Sequence, residues 1–187
     1  MNVESLKKYI KELSQKEYIK LINDIYKVCN ISIDYPTHKH WFYTKQIPGI
    51  FKGERDILFI RNPKNKNEII AFSCLKKTET EKKICNIYVS EEFRNKGLGT
   101  ILFEESMKWL GTTKPLITFA DYKLYLFEPF IKKYKWNLIE TIEGIYNSHS
   151  KELCYNDTLS KEKYKDNYKR LIKVLNQRIN QLSREEE

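Results

Sequence analysis

The stretch that decides the fold of this chain is Ile87-Tyr88-Val89-Ser90-Glu91-Glu92-Phe93-Arg94-Asn95-Lys96-Gly97-Leu98-Gly99-Thr100. An apolar segment is followed by a short polar loop and by Arg-x-x-Gly-x-Gly, which opens an amphipathic helix. Glycines at a strand-to-helix turn let the backbone approach a ligand closely, and the free N–H groups of the first helical turn point towards an anion. The stretch therefore predicts a backbone site for a pyrophosphate.

Two common phosphate motifs do not fit this stretch. It contains two glycines rather than three, and no acidic residue stands about 20 positions further on to hold a ribose, so the Rossmann fingerprint is not met. It also lacks the Gly-Lys-Ser/Thr ending of a P-loop.

The segments on either side predict the rest of the fold. Apolar runs at 56–60, 68–75 and 84–89, separated by turn-forming residues, are typical of an antiparallel meander of three strands. Strands and helices then alternate, which predicts an α/β (α+β) fold with a mixed, mostly antiparallel sheet and flanking helices. The later elements are predicted as a helix from Gly97 to a stop at Gly111, a strand at 116–119, a helix at 125–134 and a strand at 136–141, followed by short strands or extended loops at 143–146 and 151–155.

The N-terminal part, residues 1–53, is predicted to be mainly helical. Residues 3–30 show helical spacing, and the capping-box pattern Ser14-Gln15-Lys16-Glu17 predicts that the helix restarts there. A second helical stretch follows Pro36, and Pro48-Gly49 is expected to end or bend it.

The C-terminal part, residues 160–187, is predicted as a helical extension of the 1–159 domain. Apolar residues between Ser160 and Arg184 recur at spacings of four and three, but over only about two heptads. Two interpretations stay open: a helix that packs on its own domain, and a helix through which two copies form a homodimer.

Composition limits the class of protein. The chain has 187 residues, 41% of them hydrophobic, with 34 Lys+Arg against 25 Asp+Glu and a formal net charge of +9. Acidic residues are interleaved with the basic ones, which is typical of solvated helix faces, so nucleic-acid binding is not expected. No apolar run reaches the roughly 18 residues that span a bilayer, and no signal peptide is evident. A cytoplasmic protein without membrane contact is expected.

Cysteine and histidine patterns predict neither a metal site nor a disulfide. No two cysteines have the two-residue spacing of zinc or redox sites. His38 and His40 are expected to form a solvated surface pair. The four cysteines are Cys29, Cys74, Cys85 and Cys154.

The opening stretch resembles the acyl-CoA-binding motif of the GNAT superfamily of N-acyltransferases. Arg94, Gly97 and Gly99 occupy the signature positions, and Ile87 and Val89 match the strand before it. The resemblance extends over residues 54–140 and implies that main-chain N–H groups hold the CoA pyrophosphate, while the motif strand splays from its neighbour. The residues that it places at the acyl-CoA site are Ile87, Tyr88, Val89, Arg94, Asn95, Lys96, Gly97, Leu98, Gly99 and Thr100.

The resemblance implies an acetyl-CoA-dependent N-acetyltransferase that needs no metal. The acetyl group would pass from acetyl-CoA, the acyl donor, to a primary amine of a small molecule or peptide, by direct attack in a ternary complex. One alternative is a GNAT-like module that binds CoA and catalyses nothing. Another, suggested only by the net charge, is acylation of an amine attached to a polyanion such as a charged tRNA, for which affinity falls steeply with salt.

The catalytic groups are not identified by the motif. Members of the family often carry a tyrosine that protonates the leaving thiolate, and Ile131 stands where that tyrosine would be. Asn86 and Tyr88 project from one face of the motif strand by period-two alternation, so they are candidates for the acceptor side. Tyr122 and Glu81 are the other candidates. An acyl intermediate on Cys85 is the alternative to direct attack, but Cys85 fits a core position better.

Overall fold

The computed structural model describes residues 2–28, 35, 37–146 and 148–159. Cys29, the predicted helix at 160–184 and its role in a dimer lie outside the described residues. The α-helices in the described ranges are α1 (Gln15–Val28), α2 (His38–Trp41), α3 (Ile47–Phe51), α4 (Leu98–Leu110) and α5 (Leu124–Tyr134). The strands are β1 (Val3–Ser5), β2 (Arg55–Asn62), β3 (Asn65–Lys77), β4 (Lys82–Val89), β5 (Leu116–Ala120), β6 (Leu138–Glu143) and β7 (Lys151–Tyr155).

The strands form one sheet in the order β1-β2-β3-β4-β5-β7-β6. Every neighbouring pair is antiparallel except β4 and β5, which run parallel. The helix α4 lies between β4 and β5 in the chain, as a parallel crossover requires. The predicted mixed, mostly antiparallel sheet with flanking helices is therefore confirmed.

Alternation along β2 divides the core into two layers. Ile57 and Phe59 point to one face of the sheet and pack with α1, while Leu58 and Ile60 point to the other and pack with α4. All four side chains are at most 6% exposed. Burying one such side chain contributes about 1.5–3 kcal/mol, so both layers contribute to holding the sheet. We call the two surfaces the α1 face and the α4 face.

The prediction of a helix from residue 3 is wrong at its start. Val3–Ser5 is the edge strand β1, paired antiparallel with β2, and Leu6–Ile10 is a 3₁₀-helix. The buried carboxylate of Asp56 explains the difference: it accepts hydrogen bonds from Ser5 Oγ at 2.7 Å and from the N–H of Lys7 at 3.1 Å. A contact 49 residues away in the chain thus overrides the local helical spacing.

The predicted restart at Ser14 is confirmed by a capping box. The N–H of Ser14 donates to Glu17 Oε2 at 3.0 Å, and the N–H of Glu17 donates to Ser14 Oγ at 3.4 Å. Each side chain thus satisfies a backbone donor at the start of α1 that the helix itself cannot satisfy.

Of the two alternatives predicted for Pro48-Gly49, that they end or bend the second helical stretch, the first is wrong, because α3 runs through both residues. Phe42–Gln46 is π-helical, and Pro48 lies within the first two residues of α3, where its missing N–H costs nothing. The chain therefore continues in helical form to Phe51. Gly49 is needed for packing: a Cβ there would lie 2.8 Å from Cγ of Arg55.

The chain divides after Asp157 into two units, Met1–Asp157 and Thr158–Glu187. All elements above belong to the first unit. In the second, only residues 158 and 159 are described.

Candidate active site

The loop between β4 and α4 presents a row of backbone N–H groups. Asn95 and Gly97 have φ values of 60° and 78°, which turn the chain sharply before the helix. The helical bonds start with the N–H of Ile101, which donates to Gly97 O at 3.1 Å. The N–H groups of residues 98–100 precede it and have no acceptor within the helix. This end of α4 also carries the positive end of the helix dipole, so it suits an anion.

The two motif glycines differ in what they require. Gly97 sits in the left-handed region, whereas Gly99 has ordinary helical geometry. A Cβ built on either would meet nothing within 4 Å. Gly97 is therefore required by its backbone conformation, and the open space at both positions leaves the N–H groups accessible to a ligand.

Arg94 bonds the loop back to β4, and Lys96 forms a hydrogen bond within the loop. Arg94 Nε donates to Val89 O at 3.1 Å, and its guanidinium lies 5.9 Å from the ring centroid of Tyr88. Lys96 Nζ donates to Glu92 O at 2.7 Å. Both cations thus lie in the loop that the sequence predicts for the pyrophosphate.

β4 and β5 form a fork. They pair only at Lys83 with Leu116 and at Ile84 with Ile117, and beyond those pairs the two strands separate. This agrees with the splay that the family resemblance implies. The backbone of β4 beyond residue 84 is bonded to β3 on one side and open to the fork on the other.

The open edge of β4 carries both donors and acceptors. The N–H of Ser90 donates to Ile70 O at 2.8 Å, on the β3 side. Because hydrogen-bonded positions alternate in an antiparallel ladder, Ile87 and Val89 direct their N–H and C=O groups towards the fork. A ligand lying in the fork therefore meets backbone groups of both kinds.

A β-bulge at Cys85 aims β4 side chains at the α1 face. Cys74 pairs with Asn86, but the next residue, Leu75, pairs with Ile84, so Cys85 is the extra residue. Cys85 packs with the core of the α1 face, and Asn86 reaches His38 on the same side. The bulge thus turns two consecutive side chains to one face.

Two of the predicted catalytic candidates lie on that face. Asn86 Nδ2 is 3.3 Å from His38 Nε2, and the Tyr88 ring stacks on Phe72 with centroids 6.1 Å apart. Tyr88 also lies below the guanidinium of Arg94. Both side chains border the fork on the α1 face.

The other predicted positions lie on other elements of the fold. Glu81 is in the β3–β4 turn, where its carboxylate pairs with Lys76, at the opposite end of β4 from the motif loop. Tyr122 is 50% exposed in the 3₁₀-turn before α5. Ile131, at the family's tyrosine position, packs partly buried against the α4-face core. The nearby hydroxyl of Tyr134 donates a hydrogen bond to Glu104 Oε1 at 3.1 Å.

The expected solvated pair of histidines is wrong for His38. Its ring is 8% exposed and lies between the aromatic rings of Tyr26, Trp41 and Phe42, while His40 is exposed. This burial lowers the pKa of His38 to about 4. The ring is therefore neutral at pH 7, and its Nδ1–H tautomer lets Nε2 accept a hydrogen bond from Asn86.

A buried carboxylate that the sequence analysis missed lies beside the fork. Glu152, on β7, is 3% exposed and accepts hydrogen bonds from the side chains of Thr118 and Tyr35. Burial raises the pKa of Glu152 to about 7, although these hydrogen bonds and the charges of Lys83 and Lys123 act in the opposite direction. Lys123 Nζ lies over the ring of Tyr35, 5.3 Å from the ring centroid.

No local pattern singles out Glu152. It stands in the short alternating strand Lys151-Glu152-Leu153-Cys154-Tyr155, where a glutamate usually faces solvent. Only the pairing of β7 with β5 places it next to the fork.

Among the described residues, no group of three or more His, Cys, Asp or Glu side chains is arranged to hold a metal ion. None of the helices in the same residues has the length and apolar character needed to cross a membrane.

Comparison with solved structures finds acetyltransferases among those that align with this chain. An aminoglycoside 6'-N-acetyltransferase complexed with coenzyme A aligns with a TM-score of 0.57 and 10% identity, over 83% of this chain and 95% of that one. Nourseothricin acetyltransferase aligns with a TM-score of 0.49 and 11% identity, over 56% of this chain and 65% of that one. A Bacillus subtilis acetyltransferase in complex with CoA aligns with a TM-score of 0.45 and 18% identity, over 62% and 85%.

A search of curated proteins finds no significant match to the sequence. Comparison with family models assigns the chain to a family. The model of the acetyltransferase (GNAT) family matches residues 16–118, which is more than half of the chain and includes the motif loop and both sides of the fork. The chain therefore belongs to the GNAT acetyltransferase family, a family of acetyl-CoA-dependent N-acetyltransferases.

Proposed function

We propose that this protein transfers the acetyl group of acetyl-CoA to a primary amine of a small molecule or peptide, by direct attack in a ternary complex. The observation that carries the proposal is the fork between β4 and β5, which lies beside the N-terminus of α4. The N-terminus of α4 offers N–H groups to an anion, and β4 offers an open backbone edge to an extended ligand.

The donor is held mainly by backbone groups in this proposal. The N–H groups of residues 95–100 take the CoA pyrophosphate, and Arg94 lies beside it. The pantetheine arm lies along the open edge of β4, where the groups of Ile87 and Val89 face it. An N–H on that edge also polarises the thioester carbonyl and stabilises the oxyanion that forms on attack.

Positioning supplies most of the rate enhancement. Holding the amine and the thioester in attack geometry makes the reaction effectively unimolecular, which lowers the barrier without a dedicated acid. We do not propose an acyl intermediate on Cys85, because its side chain packs with the core of the α1 face.

The acceptor enters from the α1 face. Asn86 and Tyr88 border the fork there, and the aminoglycoside in the name of one structural neighbour belongs to the small-molecule class that we propose. α4 packs on the opposite face, so donor phosphates and acceptor approach from different sides.

Calorimetry with acetyl-CoA tests the donor site. Gly97→Val should abolish binding, because a β-branched residue resists the positive φ and covers the N–H groups. Gly53→Val is the matched control, since Gly53 has the same φ of 78° but lies in the turn before β2. Unchanged affinity in the Gly97 variant would overturn the assignment.

The alternative is a catalytically silent CoA-binding module, which the isoleucine at position 131 favours. Thiol release from acetyl-CoA separates the two functions. The amines to be tested as acceptors are nourseothricin, kanamycin, spermidine and a peptide with a free N-terminus. Acetyl transfer predicts release with at least one of these amines, whereas binding without release from any of them supports the silent module.

A further inference from the structure

We propose that Glu152 is the proton acceptor for the attacking amine, which it reaches through the hydroxyl of Thr118. The inference rests on the proposed acetyl transfer and assigns to it the base that the motif does not identify. Glu152 acts through Thr118, so it is a positioning and proton-accepting residue rather than one that contacts the amine.

The sheet places Thr118 at the fork. The last residues that pair across β4 and β5 are Ile84 and Ile117, so Thr118 is the first residue of β5 beyond the pairing. Ile117 and Phe119 pack on the α4 face, and alternation therefore turns Thr118 to the α1 face. The bulged Cys85 and Asn86 face the same way across the opening.

Glu152 lies directly behind Thr118. It pairs with Ala120 across β5 and β7, so its side chain shares the face of Thr118 and is close enough to accept a hydrogen bond from it. At 3% exposure the carboxylate itself is not open to solvent. The hydroxyl therefore forms the link between the carboxylate and the fork.

The surroundings suit reversible proton uptake. Lys83 from β4 and Lys123 from the turn before α5 are the cations that act on Glu152, and Tyr35 is its second hydroxyl partner. Burial outweighs them and raises the pKa of the carboxyl to about 7, the range in which a general base works best at neutral pH.

The reaction by this route releases one proton for each acetyl group that is transferred. The ammonium form of the acceptor loses a proton to the Thr118 oxygen while the Thr118 hydroxyl proton passes to Glu152. The neutral nitrogen then attacks the thioester, so a C–N bond forms and the C–S bond breaks. The second nitrogen proton ends on the CoA thiolate, and Glu152 returns its proton to solvent through the Thr118 hydroxyl. The products are the amide, CoA thiol and one H⁺.

The test measures thiol release from acetyl-CoA against pH, with the four amines named above. Glu152→Gln should lower kcat/KM at pH 8 by about 10²–10⁴-fold and remove the fall in rate below pH 7. Thr118→Val should lower the rate as well, and the double variant should be no slower than Glu152→Gln, because both residues serve one route. Glu143→Gln, an exposed glutamate on β6 paired with Lys151, is the matched control and should leave the profile unchanged.

Two measurements keep a structural effect apart from a proton-transfer effect. Acetyl-CoA affinity by calorimetry should be unchanged in Glu152→Gln. In protein labelled with ¹³C at glutamate side-chain carboxyls, the signal missing from Glu152→Gln should titrate near neutrality in the wild type. A signal that titrates at the ordinary value for glutamate, or a Glu152→Gln variant that keeps the acid limb, would overturn this inference alone. Wild-type protein that binds acetyl-CoA but releases no thiol with any amine would overturn the proposed function and this inference with it.

Discussion

Two buried groups give this protein opposing dependences of stability on pH. His38 is 8% exposed and its pKa is lowered by burial from 6.5 to about 4, whereas burial raises the pKa of Glu152 from 4.5 to about 7. We predict that the two effects nearly cancel in the wild type. The perturbations are His38→Gln and Glu152→Gln, singly and together.

The sign follows from where the protons are bound. Between pH 4 and 6.5 the unfolded chain protonates His38 and the native state does not, so the free energy of unfolding rises with pH. Between pH 4.5 and 7 the native state keeps Glu152 protonated and the unfolded chain does not, so the free energy of unfolding falls with pH. Each folded pKa departs from its ordinary value by about 2.5, and a difference of one corresponds to about 1.4 kcal/mol, which gives roughly 3 kcal/mol for each residue.

The assay is urea unfolding at intervals from pH 4 to pH 7.5. His38→Gln should lose roughly 3 kcal/mol of stability over this range, relative to the wild type, because only the Glu152 effect remains. Glu152→Gln should gain a similar amount, and the double variant should again follow the wild-type slope. Asp56, whose pKa burial also raises, is common to all four proteins and cancels in the differences.

The outcome is decided by how the free energy of unfolding changes with pH, rather than by its value at any one pH. His38→Gln also loses the ring contacts with Tyr26 and Trp41, which lowers stability at every pH. His40→Gln, at the exposed histidine two residues on, should leave the wild-type slope unchanged. Parallel curves for the wild type and both single variants would refute the reasoning.

Three other predictions concern the fold. Ser14→Ala removes the capping box and should cost about 1 kcal/mol in the free energy of unfolding, measured by urea titration. Leu102→Ala, at a fully buried position of α4, should cost about 2–5 kcal/mol, whereas Leu126→Ala, at a residue 49% exposed, should cost well under 1 kcal/mol; equal losses would contradict the assigned core. Gly49→Ala should lower Tm because its Cβ collides with Arg55, and Arg55→Ala should remove most of that penalty in the double variant.

Local signals sufficed for much of the fold. The meander, the motif turn and α4 follow from alternation, turn residues and glycines, each of which acts over a few positions in the chain. Gly111 ends α4 in the left-handed conformation, as predicted, with its N–H bonded to Lys108 O at 3.2 Å. At the N-terminus a distant contact decided the structure, because hydrogen bonds to Asp56 hold the segment after β1 against the sheet. At Pro48 the reason is local, because the preceding π-helical segment places the proline at the start of α3, where it is tolerated.

The candidate site divides in the same way. The N–H groups of residues 98–100 are a property of one continuous stretch, so the sequence by itself predicted the loop that presents them and, through its resemblance, the family. The fork, the burial of His38 and the meeting of Thr118 with Glu152 needed the tertiary structure, because they depend on which strands and helices pack together. A polar side chain in a short strand has the same local pattern whether it faces water or the core. Its pKa, and with it any part in moving a proton, is set only when the fold removes the water around it.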